Sequence, residues 1–548
     1  MINQSFYLSR KIIRHKDKNL ITLLFLISDL SYNKLIRSIG CRIIARITTK
    51  VIRLLLPPNL FKRMLPISFF LIAAGITPSF AQQKIENEIS RYVKNAPFQM
   101  EAPALPKIPE HKVTITDFGA VGNGHILNTN AINKAINSCA DAGGGTVIVP
   151  PGLWLTGPIE MKSHINLHLA QGAILLFSPD HSLYPFIRTS PKSDRWFVTP
   201  PIYGYDLSDI AITGKGIING SGDSWRPMKK EKATASQWKD LMKSGGTVSE
   251  DGKMWWPTKE AMEGENYLKE VRKQHEKITE KDMIPARDFL RPNLVSLVNC
   301  SKVLIDEVTL MNPPKFTLNP RYCRDLVIRR VKINNEWYAQ NADGIDLSNC
   351  SNAVIYQCTV NAGDDGICMK SSRESSDKTD TASLKNIIIA DNIVYHAHGG
   401  FVIGSNTDGG MENIFVHNCN YINTDVGIRI KSARDRGGLV HNIYISDIYM
   451  ANIATDAVLF NTYYENKMKA STSYPVTKTT PRFENFYLDN IYCDGAGVAI
   501  SLTGLPEMPL NHLYFKNINI TAGKGFSAVD TSNISLQKVI VNGHEYNR

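Results

Sequence analysis

Outside its first 63 residues, the sequence lacks any surplus of charge. The 548 residues carry a formal net charge of +11, but residues 1–63 alone hold 13 Lys and Arg against 2 Asp and Glu. Subtracting these from the totals of 62 and 51 leaves 49 basic and 49 acidic residues in the rest of the chain. A neutral body gives no reason to expect nucleic acid or a membrane surface as a partner.

A long apolar run is also missing from the N-terminal region. Leu20–Ile27 is far shorter than the roughly 20 residues that a membrane-spanning helix needs. The apolar stretch at 66–76 and the small-x-small pattern Ser79-Phe80-Ala81 are instead typical of a secretory signal. We therefore predict a mis-assigned upstream extension at 1–63 and a signal peptide at 64–81. The mature protein is expected to be exported, to the periplasm or the medium.

Cysteine patterns typical of metal sites are absent from the chain. Cys300, Cys323 and Cys350 each open a similar phrase, Cys-Ser-Lys-Val-Leu-Ile, Cys-Arg-Asp-Leu-Val-Ile and Cys-Ser-Asn-Ala-Val-Ile. Recurrence at one place in successive repeats indicates a buried stack of small apolar side chains rather than disulfides. Because ligand spacing is lacking, we expect no zinc, and no other metal or cofactor.

Helical periodicity is scarce, and short apolar runs take its place. Runs such as Val303–Ile305, Leu326–Ile328 and Ile387–Ile389 recur, several of them 23 to 29 residues apart. Four of the runs follow directly on an asparagine: Asn386, Asn413, Asn442 and Asn485. A fixed period with Asn and Gly at the turns favours a parallel β-helix, an all-β solenoid. A β-sandwich, the alternative, shows alternation without this period.

The domain organisation follows from where the period starts and breaks. Residues 82–112 form a polar lead-in, and residues 113–548 form the β-helix domain. Residues 129–140 have helical spacing and are expected to cap the open end of the solenoid. A charged, Trp-rich insertion at 223–292, with helical spacing around Tyr267 to Lys277, and a Tyr-, Thr- and Lys-rich loop at 461–482 interrupt the repeats and are expected to shape a binding site.

Three aspartates lie in two Gly-rich turns between strand-like runs. Asp343 precedes Asp365 by 22 residues, about one coil, and Asp364 is adjacent. Equivalent positions of neighbouring coils stack about 4.8 Å apart. The three carboxylates should therefore form one cluster, in which at least one pKa is raised, as acid–base chemistry at a glycosidic bond requires.

Basic groups and an imidazole follow in the next coils. His398 precedes a Gly-Gly pair, and Arg429 and Lys431 point to the same face of a predicted strand. Cations beside acidic catalysts indicate an anionic substrate, for which a uronic acid polymer is suitable. A surface salt-bridge ladder is the structural alternative for Arg429 and Lys431, as a purely structural histidine is for His398.

Together these blocks resemble a known family. Asn341-Ala342-Asp343, Gly363-Asp364-Asp365, His398-Gly399 and Arg429-Ile430-Lys431 occur in the order found in glycoside hydrolase family 28, the polygalacturonases. The resemblance covers most of the chain beyond Val113. It implies a right-handed parallel β-helix that hydrolyses α-1,4-galacturonosidic bonds of pectin, an acidic plant polysaccharide, with inversion.

The same resemblance implies a role for each residue. Asp364 matches the general acid, Asp343 and Asp365 the pair that activates water, and His398 the supporting histidine. Residues that match substrate binding are Asn341, Arg429 and Lys431. Two departures stand out, because Ala342 replaces the usual Thr and the segment from His398 to Ser405 is one residue longer than is common.

Other functions remain open on the sequence alone. A pectate lyase is also a β-helix and uses calcium, which Asp364 and Asp365 could bind. A carbohydrate-binding protein similar to a phage tailspike would use the fold for adhesion only. Within the hydrolase hypothesis, the insertion at 223–292 and the loop at 461–482 favour an exo-acting enzyme, since bulk there would close one end of the binding site. The four tryptophans of the insertion are suited to packing over a coil edge and to stacking on sugar rings.

Overall fold

The computed structural model describes four stretches of the chain: residues 82–188, 195–373, 382–465 and 472–547. The predicted upstream extension at 1–63 and signal peptide at 64–81 lie outside them. Among the described residues, no helix combines the length and the apolarity that crossing a membrane requires.

Most of the chain forms a right-handed parallel β-helix, in which 29 strands are hydrogen-bonded to one another. The strands form three parallel stacks, named here in the order in which each coil visits them. Stack 1 contains Lys112–Thr114, Gly145–Val149, Ile165–Leu169, Ser208–Gly214, Ser301–Asp306, Arg324–Arg329, Ser351–Tyr356, Leu384–Ala390 and Met411–Ile422. Stack 2 contains Gly152–Thr156, Ala173–Phe177, Ile217–Asn219, Thr309–Met311, Lys332–Asn334, Thr359–Asn361 and Ile393–Tyr395. Stack 3 contains Ile159–Glu160, Ile202–Tyr205, Val295–Val298, Leu318–Arg321, Ile345–Ser348, Asp365–Ser371, Gly399–Thr407 and Val426–Lys431.

In the C-terminal coils the strands run through the corners without a break. These long strands are Leu439–Asn461, Arg482–Thr503, Leu510–Val529 and Thr531–Val541, and an antiparallel strand, His544–Tyr546, ends the sheet. The predicted fold class is therefore confirmed.

In four successive coils, an asparagine explains how the chain turns into stack 1. Asn386, Asn413, Asn442 and Asn485 all have positive φ, between 56° and 59°. Asn adopts this left-handed conformation more readily than most residues, so the chain can turn sharply there. Asn413 Nδ2 also donates a hydrogen bond of 3.1 Å to Asn386 Oδ1 in the coil below. The side chains thus link successive coils.

The interior is a continuous apolar core, and the cysteines belong to it. In a typical strand, Ile165, Leu167 and Leu169 are buried while the residues between them are not. Each of the eight cysteines in the described residues is free and buried. The backbone N–H of Cys300 even donates to Cys323 Sγ in the next coil, at 3.4 Å. The predicted stack of small side chains is confirmed.

A helix covers the N-terminal end of the solenoid as expected. It spans Thr129–Asp141, and Ile132, Ala135, Ile136 and Cys139 on one face are buried in the main core. Apolar burial of this face closes the end of the solenoid, which would otherwise expose the edge of the first coil.

The polar lead-in is more ordered than its composition indicated. Residues 82–94 are helical, and Ile89 and Tyr92 are buried. The Tyr92 hydroxyl donates to Asp391 Oδ2 at 2.6 Å, and Arg329 Nη1 donates to Glu88 Oε2 at 2.9 Å. These contacts attach the segment from Glu88 onward to the side of the solenoid.

The insertion folds as a small subdomain. Its helices are Ala235–Lys243, Lys259–Gln274 and Glu280–Met283, and its antiparallel sheet consists of Met228–Lys229, Thr247–Val248 and Met254–Trp256. Short 3-10 helices occur at Ile115–Phe118, His181–Leu183, Gly222–Ser224, Lys230–Lys232 and Ile284–Ala286, and a two-stranded sheet pairs Phe186–Ile187 with Phe197–Val198. The long helix starts earlier than the spacing around Tyr267 to Lys277 indicated, because Thr258 Oγ1 accepts from the Ala261 N–H and caps it.

Two of the insertion's tryptophans build its core instead of facing sugar. Trp225 is 1% exposed and stacks on His181 with ring centroids 3.5 Å apart, and Trp255 is 8% exposed. The expectation that these indoles stack on substrate is therefore wrong, because the subdomain needs them for its own apolar interior. His181 is held by Asp288, and the Ser224 hydroxyl beside it donates to the Ser221 carbonyl at 2.9 Å, so this group is a structural link.

Candidate active site

The three predicted aspartates meet at the start of stack 3. Ile345 pairs with Ile367 across neighbouring coils, so Asp343 and Asp365, two residues earlier in each coil, are stacked neighbours. One carboxylate oxygen from each of Asp343, Asp364 and Asp365 lies within 4.8 Å of the other two. The predicted convergence of the three carboxylates is confirmed.

Asp365 is the carboxylate with the most positive charge around it. Arg429 Nη1 donates to Oδ1 at 2.9 Å, and Lys431 Nζ donates to Oδ2 at 2.8 Å. Burial raises the pKa of Asp365, but Lys431, Arg429 and Lys370 together outweigh it and leave the pKa well below its usual range. Asp365 is therefore a permanent anion with both oxygens occupied.

A glycine makes this arrangement possible. Gly399 pairs with Asp365 in the coil that separates Asp365 from Arg429. A Cβ at position 399 would lie 3.1 Å from Cβ of Arg429 and 2.6 Å from a methyl of Val402. The missing side chain leaves room for the arginine to cross one coil and reach Asp365.

Asp343 has the opposite environment. Lys370 Nζ donates to Asp343 Oδ2 at 3.0 Å and also to Asp346, so two buried carboxylates share one cation. Burial, the charge of Asp346 and the other two aspartates raise the pKa of Asp343 well above its usual range, against the effect of Lys370. Asp343 Oδ1 and Asp346 Oδ2 are buried without a hydrogen-bond partner among the described residues. Burial also raises the pKa of Asp346, so this end of the cluster favours the protonated form more than Asp365 does.

Asp364 is the most accessible of the three, with a side chain 16% exposed against 5% and 3% for Asp343 and Asp365. Its Oδ1 accepts from the N–H of Asp365 at 3.1 Å and lies 3.1 Å from His398 Nδ1. Burial raises the pKa of Asp364, but the hydrogen bond with His398 and the charge of Lys431 help to lower it overall.

His398 occupies the supporting position that the resemblance implies. Besides its contact with Asp364, its Nε2 lies 3.2 Å from Lys232 Nζ and 3.6 Å from Asp425 Oδ2. The extra residue between His398 and Ser405 does not move the imidazole away from the carboxylate cluster.

The candidate substrate-binding residues are engaged with the cluster itself. Tyr464 covers Arg429 and Lys431, with its ring centroid 5.6 Å from the guanidinium carbon and 4.9 Å from Nζ. Asn341 lies between a cation and a carboxylate, since its Oδ1 accepts from Arg291 Nη2 at 2.9 Å and its Nδ2 donates to Asp364 Oδ2 at 3.4 Å. Of the five N–H donors of Arg429, one donates a hydrogen bond to Asp365.

Several residues of this site were not anticipated, among them Asp346, Lys370, Arg291 and Lys232. The register carried a signal for Lys370, because it pairs with Ser348, the last residue of the strand that contains Asp346 and follows Asp343. For Lys232 there was none, because the position of an insertion relative to distant coils is a property of the tertiary structure.

The carboxylate cluster has the proximity of a metal site but not its donor set. Both Asp365 oxygens bind cationic side chains, and Lys370 takes Asp343 Oδ2. Calcium prefers six to eight oxygen ligands that are free to coordinate it. The residues present do not fit a calcium ion, and the lyase hypothesis loses its main support.

The chain is similar to proteins that are named polygalacturonases, which agrees with the clustered carboxylates described above. The chain is 28% identical over 445 residues to the exo-poly-α-D-galacturonosidase of Dickeya chrysanthemi, covering 79% of this chain and 70% of that protein. It is 26% identical over 420 residues to the "probable polygalacturonase" of Vitis vinifera, covering 75% and 74%. The crystal structure of a hyperthermoactive exopolygalacturonase from Thermotoga maritima superposes with a TM-score of 0.66 at 26% identity, covering 84% of this chain and 97% of that one.

The family model described as glycosyl hydrolases family 28 matches residues 229–540, more than half of the chain. This range contains all three clustered aspartates and the histidine, arginine and lysine that surround them. The chain therefore belongs to glycosyl hydrolases family 28.

Proposed function

We propose that this enzyme hydrolyses the α-1,4-galacturonosidic bonds of polygalacturonate with inversion. The observation that carries the proposal is a cluster of three carboxylates, one accessible and two buried, embedded in cationic side chains. The names of the relatives from Dickeya and Vitis support the substrate class. A polymeric substrate also favours export, for which the expected signal peptide at 64–81 would serve.

Asp364 is the general acid in this proposal. Its accessibility lets it touch the glycosidic oxygen, and its Oδ1 already accepts two hydrogen bonds, so the transferable proton belongs on Oδ2. The lowered pKa of Asp364 makes it a poor proton store but a strong acid. Asp343, with its raised pKa, keeps the proton in the cluster until substrate excludes water and the proton passes to Asp364.

Asp343 and Asp365 activate the attacking water. Their separation from Asp364 is shorter than the roughly 6.5–9.5 Å common between carboxyl groups in inverting glycosidases. Both Asp365 oxygens and Asp343 Oδ2 are held by cationic side chains, which opposes direct attack on the sugar, but each carboxylate oxygen keeps a further acceptor site that can hold a water molecule. Proton NMR of the first product formed tests this, with the β anomer expected and an initial α anomer contradicting inversion.

Positive charge around the cluster suits a galacturonate carboxylate. Arg429 and Lys431 line one side, and Arg291 and Lys315 interact electrostatically with Asp343 from another. Burial lowers the pKa of Arg291 to about 10, so its guanidinium remains charged at neutral pH. Methyl esterification of the substrate removes the negative charge that attracts these cationic side chains, and is expected to reduce turnover.

Exo action is supported by the insertion, which reaches the site through Lys232, and by the exo-acting relatives. An enzyme that trims chain ends releases reducing sugar long before the viscosity of polygalacturonate falls. Parallel measurement of viscosity and reducing ends tests this, and an early collapse of viscosity would contradict it.

The central experiment compares wild type with Asp364→Asn on polygalacturonate. We expect release of reducing sugar by wild type, unaffected by excess chelator and without the ultraviolet absorbance of an unsaturated product. Asp364→Asn should lose about 10²–10⁴-fold in kcat. The matched control is Asp240→Asn, on a surface helix of the insertion, where the side chain is 69% exposed. An equal loss in both variants, or an inert wild type, would refute the proposed function.

A further inference from the structure

One side chain connects the insertion to the acid–base cluster. Lys232 is the last residue of the short 3-10 helix Lys230–Lys232. Its Nζ lies 3.2 Å from His398 Nε2 and 3.4 Å from the carbonyl oxygen of Trp337. Neither residue belongs to the insertion, so Lys232 crosses from the subdomain to the coils that hold the catalytic groups.

The chemistry of this contact determines which nitrogen of His398 carries a proton. Burial lowers the pKa of Lys232, and the carboxylates of Asp364 and Asp425 oppose this. A lysine ammonium has three donors and no acceptor, so the ring nitrogen facing it must accept. Nε2 is then unprotonated and the proton resides on Nδ1, 3.1 Å from Asp364 Oδ1.

A second group, the carboxylate of Asp425, competes with Lys232 for Nε2 of His398. Asp425 Oδ2 is 3.6 Å from Nε2, longer than a hydrogen bond, and its side chain is 57% exposed. If Nε2 carried the proton, it would turn toward Asp425, and Nδ1 could no longer donate to Asp364. The balance between the Lys232 ammonium and the Asp425 carboxylate therefore decides the tautomer.

We propose that Lys232 is a positioning residue, which holds His398 in the Nδ1–H tautomer and so maintains its hydrogen bond to Asp364. The insertion is then a component of the catalytic centre. This inference rests on the proposed function for its kinetic consequence, but the tautomer itself can be measured independently of activity.

The kinetic test uses Lys232→Met and a control in the same turn. Loss of one positioning hydrogen bond should lower kcat about tenfold and leave KM unchanged, while Lys232→Arg retains a donor and most of the rate. Lys230→Met, which removes an exposed lysine next to Trp238, should behave as wild type. A rise in KM without a change in kcat would overturn the proposal, because Lys232 would then bind substrate directly.

A double-mutant cycle with His398→Gln shows whether Lys232 acts through the histidine. In the His398→Gln background, Lys232→Met should have no further effect on kcat. Additive losses would overturn the proposal, since they require a second route from Lys232 to the reaction.

Nitrogen NMR of histidine-labelled protein reads the tautomer, with His398→Gln assigning the resonance. We expect the Nδ1–H signature in wild type and in Lys232→Arg, and Nε2–H or a protonated ring in Lys232→Met. An Nε2–H ring in wild type, or an unchanged signature in Lys232→Met, would overturn the inference. Because this readout needs no substrate, an enzyme inactive on polygalacturonate would refute the proposed function and leave the tautomer assignment to be decided on its own.

Discussion

Asp365 and Asp343 are stacked neighbours in one β-helix, yet they have opposite electrostatic environments. Asp365 is one carboxylate with two cations, Arg429 and Lys431, and its pKa is lowered. Asp343 shares one cation, Lys370, with a second carboxylate, and its pKa is raised. Both are buried, so burial does not distinguish them. The local balance of cations and carboxylates therefore accounts for the opposite directions of the two pKa shifts.

The largest expected effect is a loss of kcat at both positions, and only one of the two substitutions should also reduce stability. Asp365→Asn and Asp343→Asn should each lower kcat about 10²–10⁴-fold, because both prepare the attacking water. Only Asp365→Asn leaves two buried cations without a partner, which should lower the free energy of unfolding by about 3–5 kcal/mol. Steady-state kinetics with denaturant unfolding measures both. Equal destabilisation by the two variants would show that the comparison is wrong.

The next largest effect concerns recognition of substrate charge by Arg429. Arg429→Ala removes a guanidinium that donates to Asp365 and whose positive charge suits a galacturonate carboxylate, and should lower kcat/KM on acidic oligomers about 10–100-fold. Most of the loss should be in KM. Arg482→Ala, at a surface arginine 49% exposed, is the control. Unchanged kinetics in Arg429→Ala on acidic oligomers would refute this role.

Removal of Lys370, the cation that Asp343 shares with Asp346, should change the pH dependence of activity. Lys370 lowers the pKa of Asp343, so Lys370→Met should raise that pKa further and keep the cluster's proton at higher pH. The alkaline limb of the pH dependence of kcat/KM should then move to higher pH, whereas Lys370→Arg should leave it in place. A shift to lower pH would mean that the proton needed for catalysis is not held at Asp343.

The smallest expected effect is on the pH dependence of stability. The pKa of Asp365 is depressed in the folded protein, so its ion pairs contribute stability above the unfolded value of about 3.9 and lose it as the pH falls below that. The difference in unfolding free energy between wild type and Asp365→Asn should therefore be constant at neutral pH and shrink in acid. Urea unfolding at a series of pH values measures it, and a difference that grows in acid would contradict the assignment.

Local repetition explains why so much was predictable. Asn386, Asn413 and Asn442 mark successive corners, and the Cys300 and Cys323 phrases mark successive strands, because each coil repeats the same burial pattern. The same regular register stacks Asp343 on Asp365, so sequence spacing alone predicted the cluster. Helical spacing at Thr129–Asp141 identified the cap for a similarly local reason.

What only the tertiary structure decided involves groups far apart in the chain. Trp225 was expected to face sugar but fills the core of the insertion, and Lys232 reaches His398 across 166 residues. The raised pKa of Asp343 and the lowered pKa of Asp364 depend on charged groups contributed by several coils at once. Hydrophobic periodicity is a property of neighbouring residues and is visible in a sequence. The electrostatic field at a carboxylate sums over everything within a few ångströms in space, and therefore exists only once the chain has folded.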